Sequence, residues 1–162
     1  MRPLERAIDM HPARKPMRLS DFDYTTPHAY FLTICTKERG HCLASITSTG
    51  VYQLKPMGRI AAENVETIPT HFPEVVVDQY VIMPNHVHLL LSIGCNGVEV
   101  THSIPVIIQS YKASVSRSVG YSVWQRSYYD HVVRNEEDYR NIWQYIENNP
   151  LKWQLDRFFT AY

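Results

Sequence analysis

The sequence predicts an α+β fold, an antiparallel sheet with helices on one face, and three observations carry that expectation. Four stretches are dense in β-branched and aromatic residues. Two stretches of helical periodicity separate them, one after the first strand and one after the third. The last strand runs into a helix-start signal. A length of 162 residues fits one domain with a sizeable core.

The first strand is expected over residues 30–36, after the turn-prone Thr26-Pro27, with a turn or loop at 37–40. Met57, Ile60, Ala61, Val65 and Ile68 recur at helical spacing, so a helix is expected from Pro56 to about Ile68, ended by Pro69. Residues 74–83 read as the second strand, Pro84-Asn85 as a turn, and the run from His86 as the third strand, closed by a loop at 94–97. After Pro105, apolar residues at Ile107, Ile108, Tyr111 and Val115 mark a second helix that stops near Gly120. Residues 128–134 are the fourth strand. Asn135 caps a last helix whose first turn holds Glu136, Glu137 and Asp138, and Pro150 stops it after Asn149. The order strand, helix, strand, strand, helix, strand is that of a ferredoxin-like, split β-α-β sheet, and a C-terminal helix is left over to cross it.

Residues 1–18 carry five Arg or Lys and three prolines, so they are expected as a basic flexible arm ahead of a single domain over 19–162. Net charge is zero, so overall charge singles out no partner and the sign must be read locally. Three cysteines, none in a C-x-x-C pair, argue against a disulfide framework or a thiolate zinc site and point to the cytoplasm. No apolar run approaches the roughly 18 residues of a membrane span, and no secretory leader is visible.

His86-Val87-His88 opens the third strand. Alternation puts both imidazoles on one face, roughly 6 to 7 Å apart at Cβ, within reach of one ion, while Val87, Leu89, Leu91 and Ile93 face the core. Such a pair is either half of a metal site lacking its third ligand or two satisfied polar residues. On the last helix Tyr145 and Asn149 stand four apart, so their side chains share a face, as either chemistry or packing. Lys112, Arg117 and Arg126 lie among Tyr111, Tyr121 and Trp124 with no acidic residue between Gln109 and Tyr129. Cations for phosphates and rings for bases suit single-stranded nucleic acid, with Trp124 as a stacking platform, although a solvated helix face beside buried aromatics has the same composition.

Met83-Pro84-Asn85-His86-Val87-His88, Val123-Trp124-Gln125-Arg126 with Tyr128-Tyr129-Asp130-His131, Arg134-Asn135-Glu136-Glu137-Asp138-Tyr139 and Tyr145-Ile146-Glu147-Asn148-Asn149-Pro150 together resemble the blocks of the single-tyrosine HUH transposases. Within that superfamily the resemblance is to the REP-associated tyrosine transposases of bacteria, and it spans about residues 14 to 155. It implies a catalytic helix carrying the nucleophile Tyr145 and a divalent ion, Mg²⁺ or Mn²⁺, held by His86, His88 and Asn149. Asn148 is the neighbouring alternative, less well placed at three residues from Tyr145. It implies metal-dependent cleavage and strand transfer of single-stranded or hairpin DNA through a 5′-phosphotyrosine link. Arg14, Lys15, Arg18, Lys112, Arg117, Trp124 and Arg126 would grip the DNA, and the protein would act as a homodimer or monomer. The alternatives are a domesticated binder of structured repeats that does not cleave, and a metal hydrolase that does not use the tyrosine.

Overall fold

The computed structural model describes residues 23–38 and 40–160. The arm at 1–18, with Arg14, Lys15 and Arg18, lies outside the described residues.

Strand β1 (His28–Cys35) lies at the interior of a four-stranded antiparallel sheet of order β4-β5-β1-β6, with β4 (Val75–Ile82), β5 (His86–Ile93) and β6 (Tyr129–Val132). This is the expected split β-α-β order. Helices α1 (Pro56–Glu66) and α3 (Ile104–Val119) supply the two crossovers. They pack on the face formed by Tyr30, Leu32, Ile34, Val87, Leu89, Leu91 and Ile93, where Ala61, Val65, Ile107, Ile108 and Val115 are buried against it. Helix α4 (Glu136–Asn148) lies on the opposite face, burying Ile142 and Ile146 against Phe31, Val81, Met83 and Leu90. The two faces follow from the period of two along β1 and β5, which sends odd and even residues of β5 to different helix layers.

The start and stop signals explain most boundaries. Asn135 accepts the Asp138 backbone N–H on its Oδ1 at 2.9 Å, and three carboxylates follow at the positive end of α4. Gly120, at φ 96°, closes α3 in the left-handed conformation. Three elements depart from expectation. Pro69 does not end α1, which stops at Glu66; it sits instead in the first turn of a separate short helix, α2 (Ile68–His71), where a missing N–H costs nothing. A hairpin of β2 (Ala44–Ile46) and β3 (Tyr52–Leu54) was not expected, because its strands are three residues each. It is held by backbone contacts: Lys55 N–H donates to the Leu43 carbonyl, the Tyr52 hydroxyl donates to Ile82 O at 2.7 Å, and a methyl at Gly58 would overlap Leu43 O. Pro150 ends α4 as expected, but the element that follows it was not expected. Asn149 keeps α-helical angles, and Pro150 opens a 3₁₀ run over Pro150–Leu155 that carries the following residues back over β5.

Candidate active site

The face of β5 that meets α4 presents His86 and His88, both fully buried. Across the ladder His86 pairs with Cys35 and His88 with Thr33. Asn85 Nδ2 donates to Phe158 O at 2.7 Å, so its Oδ1 is the acceptor for His86 Nδ1 at 2.8 Å. That network assigns the His86 proton to Nδ1 and leaves Nε2 bare. His88 Nδ1 lies 2.8 Å from Thr33 Oγ1, and its Nε2 lies 3.0 Å from His86 Nε2. With the Thr33 hydroxyl donating, His88 Nε2–H bridges to His86. With the hydroxyl turned to accept, both Nε2 lone pairs converge on one point. Cis ligands about 2.1 Å from an octahedral ion stand about 3 Å apart, so the pair fits a divalent ion without rearrangement. Burial, then the proximity of His88 and Arg157, holds the His86 pKa well below its ordinary value, and burial takes His88 down to about 3. Both imidazoles are therefore neutral at pH 7, as metal ligands must be.

Helix α4 and the segment after it complete the site. The Tyr145 ring lies edge-on to Phe31, with centroids 5.9 Å apart, and 5.3 Å from the His88 ring. Burial, followed by the charge of Asp156, pushes the Tyr145 hydroxyl up to about 12. Asp156 Oδ1 accepts from the Phe158 N–H at 2.7 Å. Its Oδ2 lies 3.5 Å from the Tyr145 hydroxyl and 3.8 Å from His86 Nε2. His86, His88 and Asp156 each offer a ligand atom within 4.8 Å of the other two. Asn149 is buried, its side chain favours the charged forms of Tyr145 and Asp156, and its Oδ1 has no hydrogen-bond partner among the described residues. Two imidazoles and a carboxylate, with an orphaned buried carbonyl oxygen one helical turn beyond Tyr145, make a donor set suited to a hard or borderline cation. Asn148 turns its Nδ2 back onto Gln144 O at 2.9 Å.

No signal in the sequence marks Asp156 as part of the site. It lies beyond the helix that Pro150 was expected to end, in no recognisable spacing with the other residues, and only the 3₁₀ run brings it to the histidines. Two expected DNA contacts are also placed otherwise. Trp124 is 3% exposed and packs its indole 5.9 Å from the Tyr111 ring, so it offers no face to a base. Lys112 spends its ammonium on the carbonyls of Gln125 at 2.7 Å and Arg126 at 3.1 Å. Arg117 and Arg126 are exposed.

No family model matches the chain. A Haemophilus influenzae protein described as uncharacterized is 33% identical over 169 residues, covering 91% of this chain and 93% of its own length. A second H. influenzae protein, described as a candidate REP-associated tyrosine transposase, is 24% identical over 141 residues, with 80% of this chain and 74% of that one covered. Among solved structures, a REP-associated tyrosine transposase bound to a REP hairpin superposes with a TM-score of 0.64 at 20% identity, over 84% of this chain and 74% of that one. A candidate transposase from Deinococcus radiodurans gives a TM-score of 0.50 at 23% identity, over 83% and 97%. The chain belongs to the family of the H. influenzae protein it matches along nearly its whole length, and it has the fold of the REP-associated tyrosine transposases.

Proposed function

We propose that this protein cleaves single-stranded DNA and rejoins strands in a metal-dependent reaction, with Tyr145 as the nucleophile and a hairpin-forming repeat as the substrate. The observation that carries this reading is the meeting of Tyr145, His86, His88 and Asp156, with the buried Asn149 Oδ1 unpartnered one helical turn beyond Tyr145. The hairpin substrate is supported by the likeness to a structure described as bound to a REP hairpin.

His86, His88, Asp156 and Asn149 would hold a divalent ion, Mg²⁺ or Mn²⁺; bound there, it supplies Lewis-acid stabilisation of the charge developing on the scissile phosphate. Imidazole nitrogen beside carboxylate and amide oxygen suits Mn²⁺ better than Mg²⁺, which prefers oxygen alone. Tyr145 Oη attacks phosphorus, and the bond from phosphorus to the 3′-oxygen breaks. A 5′-phosphotyrosine link forms, and the 3′-oxygen leaves as an oxyanion that takes a proton from water. The phenol proton passes to Asp156 Oδ2, the acceptor already nearest to it. In the reverse direction a 3′-hydroxyl attacks the phosphotyrosine and Tyr145 regains its proton, so rejoining needs no nucleotide triphosphate. Phe31 and His88 fix the phenol ring, and Trp153 and Phe158 exclude water from the His86 side.

The test is a labelled single-stranded oligonucleotide containing an imperfect palindrome, incubated with Mn²⁺ and resolved under denaturing conditions. A DNA–protein adduct that survives denaturation and is lost in Tyr145→Phe supports the reading. Cleavage without an adduct indicates hydrolysis instead, and a gel shift with neither indicates a binding protein.

A further inference from the structure

Asp156 and Arg157 are neighbours in the chain, one inside the site and one at its mouth. The Asp156 side chain is 1% exposed, with Oδ2 3.8 Å from His86 Nε2 and 3.5 Å from the Tyr145 hydroxyl. Arg157 is exposed and lines a cleft of about 250 Å³ together with Cys35, Asn85, Gln125, Tyr129 and Phe158. We infer that Arg157 is the cationic ligand of the DNA phosphate presented to Tyr145. The inference rests on the strand-cleavage reading above and adds the residue that holds the reacting group.

Three features carry it. First, the guanidinium is held beside the site by rings. It lies 4.8 Å from the Tyr129 ring centroid and 4.5 Å from that of Phe158, and the Phe158 ring is itself 4.7 Å from the His86 ring. Stacking on ring faces restrains the arginine plane and leaves the N–H donors on its edge unspent. Second, those donors have no acceptor. Among the described residues none takes a hydrogen bond from the Arg157 guanidinium. Asp156 spends Oδ1 on the Phe158 N–H at 2.7 Å and directs Oδ2 at Tyr145. Glu38 and Tyr129 also border the cleft, and no ion pair or hydrogen bond joins the Glu38 carboxylate or the Tyr129 hydroxyl to the guanidinium. Third, the reaction needs a cation here. A second negative charge develops on the phosphate as Tyr145 Oη bonds to phosphorus, beside the Asp156 carboxylate and two neutral imidazoles. Arg157 is the side chain whose positive charge acts on Tyr145, Asp156 and both histidines. Its paired N–H donors match phosphate oxygens, and it stays protonated throughout: the Oη–phosphorus bond forms, the bond from phosphorus to the 3′-oxygen breaks, and that electron pair leaves with the 3′-oxygen.

The experiment takes a single-stranded oligonucleotide containing the imperfect palindrome and replaces each phosphodiester beside the palindrome's foot in turn by an uncharged methylphosphonate. Binding is read by fluorescence anisotropy in EDTA, and the position and rate of adduct formation separately in Mn²⁺ on the unmodified strand. At one linkage, neutralisation should weaken wild-type binding roughly tenfold, the worth of a charge-assisted hydrogen bond, and should change binding by Arg157→Ala less than about twofold. Arg157→Lys, which keeps the charge, should retain a ratio above about threefold. The adduct should form at that same linkage, about 10²-fold more slowly in Arg157→Ala. A merely structural arginine would weaken binding to every oligonucleotide alike and leave the wild-type ratio in Arg157→Ala, and that result overturns the inference. An adduct at a linkage whose neutralisation affects wild type and Arg157→Ala equally overturns it too, while sustaining cleavage. A linkage sensed through Arg157 with no adduct formed anywhere would sustain the phosphate contact and sink the cleavage reading.

Discussion

The Tyr145 hydroxyl points at Asp156 Oδ2 across 3.5 Å, joining the last turn of α4 to a residue eleven positions later in the chain. That carboxylate raises the phenol pKa and is also its nearest proton acceptor, so its removal should act on both. A raised phenol pKa means that phenolate is gained only at high pH, so the wild-type adduct rate should climb up to and beyond pH 9. In Asp156→Asn the rising limb should move to lower pH, while the rate at pH 7 falls by about 10²-fold. Single-turnover rates from pH 6 to 10 check both shifts. An unchanged profile would remove Asp156 from the account.

Asn149 offers a sharper separation of metal binding from folding. Its Oδ1 is buried without a partner, a state that costs stability unless a cation repays it. Asn149→Leu removes that unpaired oxygen together with the amide that supports Asp156, so without metal its stability should stay within about 1 kcal/mol of wild type. Its Mn²⁺ affinity, by titration calorimetry, should fall at least about tenfold. Unaltered affinity would reassign the third ligand to Asp156 alone.

Far from the site, Glu74 anchors the segment that leads into α3. Burial would raise its carboxyl, but hydrogen bonds outweigh this: its Oε1 accepts from Thr101 Oγ1 at 3.1 Å, from the His102 backbone N–H at 3.1 Å and from the His102 ring at 2.7 Å, and the pKa falls to about 2. A depressed carboxyl gives stability that is fully present above its ordinary value of 4.5 and is lost as pH falls toward about 2. Glu74→Gln should cost about 2 to 3 kcal/mol at pH 7, and the gap to wild type should close on acidification over that window. Urea melts between pH 2.5 and 7 measure it; a gap independent of pH would contradict the assignment.

Gly58 is the point of closest approach between α1 and the residue before β2. Alanine would favour the helix by nearly 1 kcal/mol, yet its methyl meets the Leu43 carbonyl, which belongs to backbone and cannot rotate away. Net destabilisation of about 1 to 3 kcal/mol is expected for Gly58→Ala, read by chemical denaturation.

The sheet was legible in the sequence because each of its strands alternates or is densely apolar, and each is bounded by Pro, Gly or Asn. The histidine pair and the Tyr145–Asn149 face were legible for the same reason, since fixed periods of two and 3.6 place side chains without knowledge of the fold. What was not legible depends on long-range packing. The β2–β3 hairpin has strands too short to show a period, and its partners are the Leu43 and Ile82 carbonyls, which any sequence provides. Trp124 looked available because an aromatic beside arginines has the same composition whether it faces DNA or Tyr111. Asp156 was hidden by Pro150, which reads as a helix end and here also opens a 3₁₀ run that returns the chain to His86.

The central claim is that Tyr145 is the atom donor for a covalent link to DNA. The direct measurement is mass spectrometry of the peptide that remains joined to a 5′-phosphate after protease and nuclease digestion of the Mn²⁺-dependent adduct. The account predicts a single modified peptide with the phosphate on Tyr145. A phosphate on any of the other ten tyrosines, or on no residue while the DNA is cut, would contradict it.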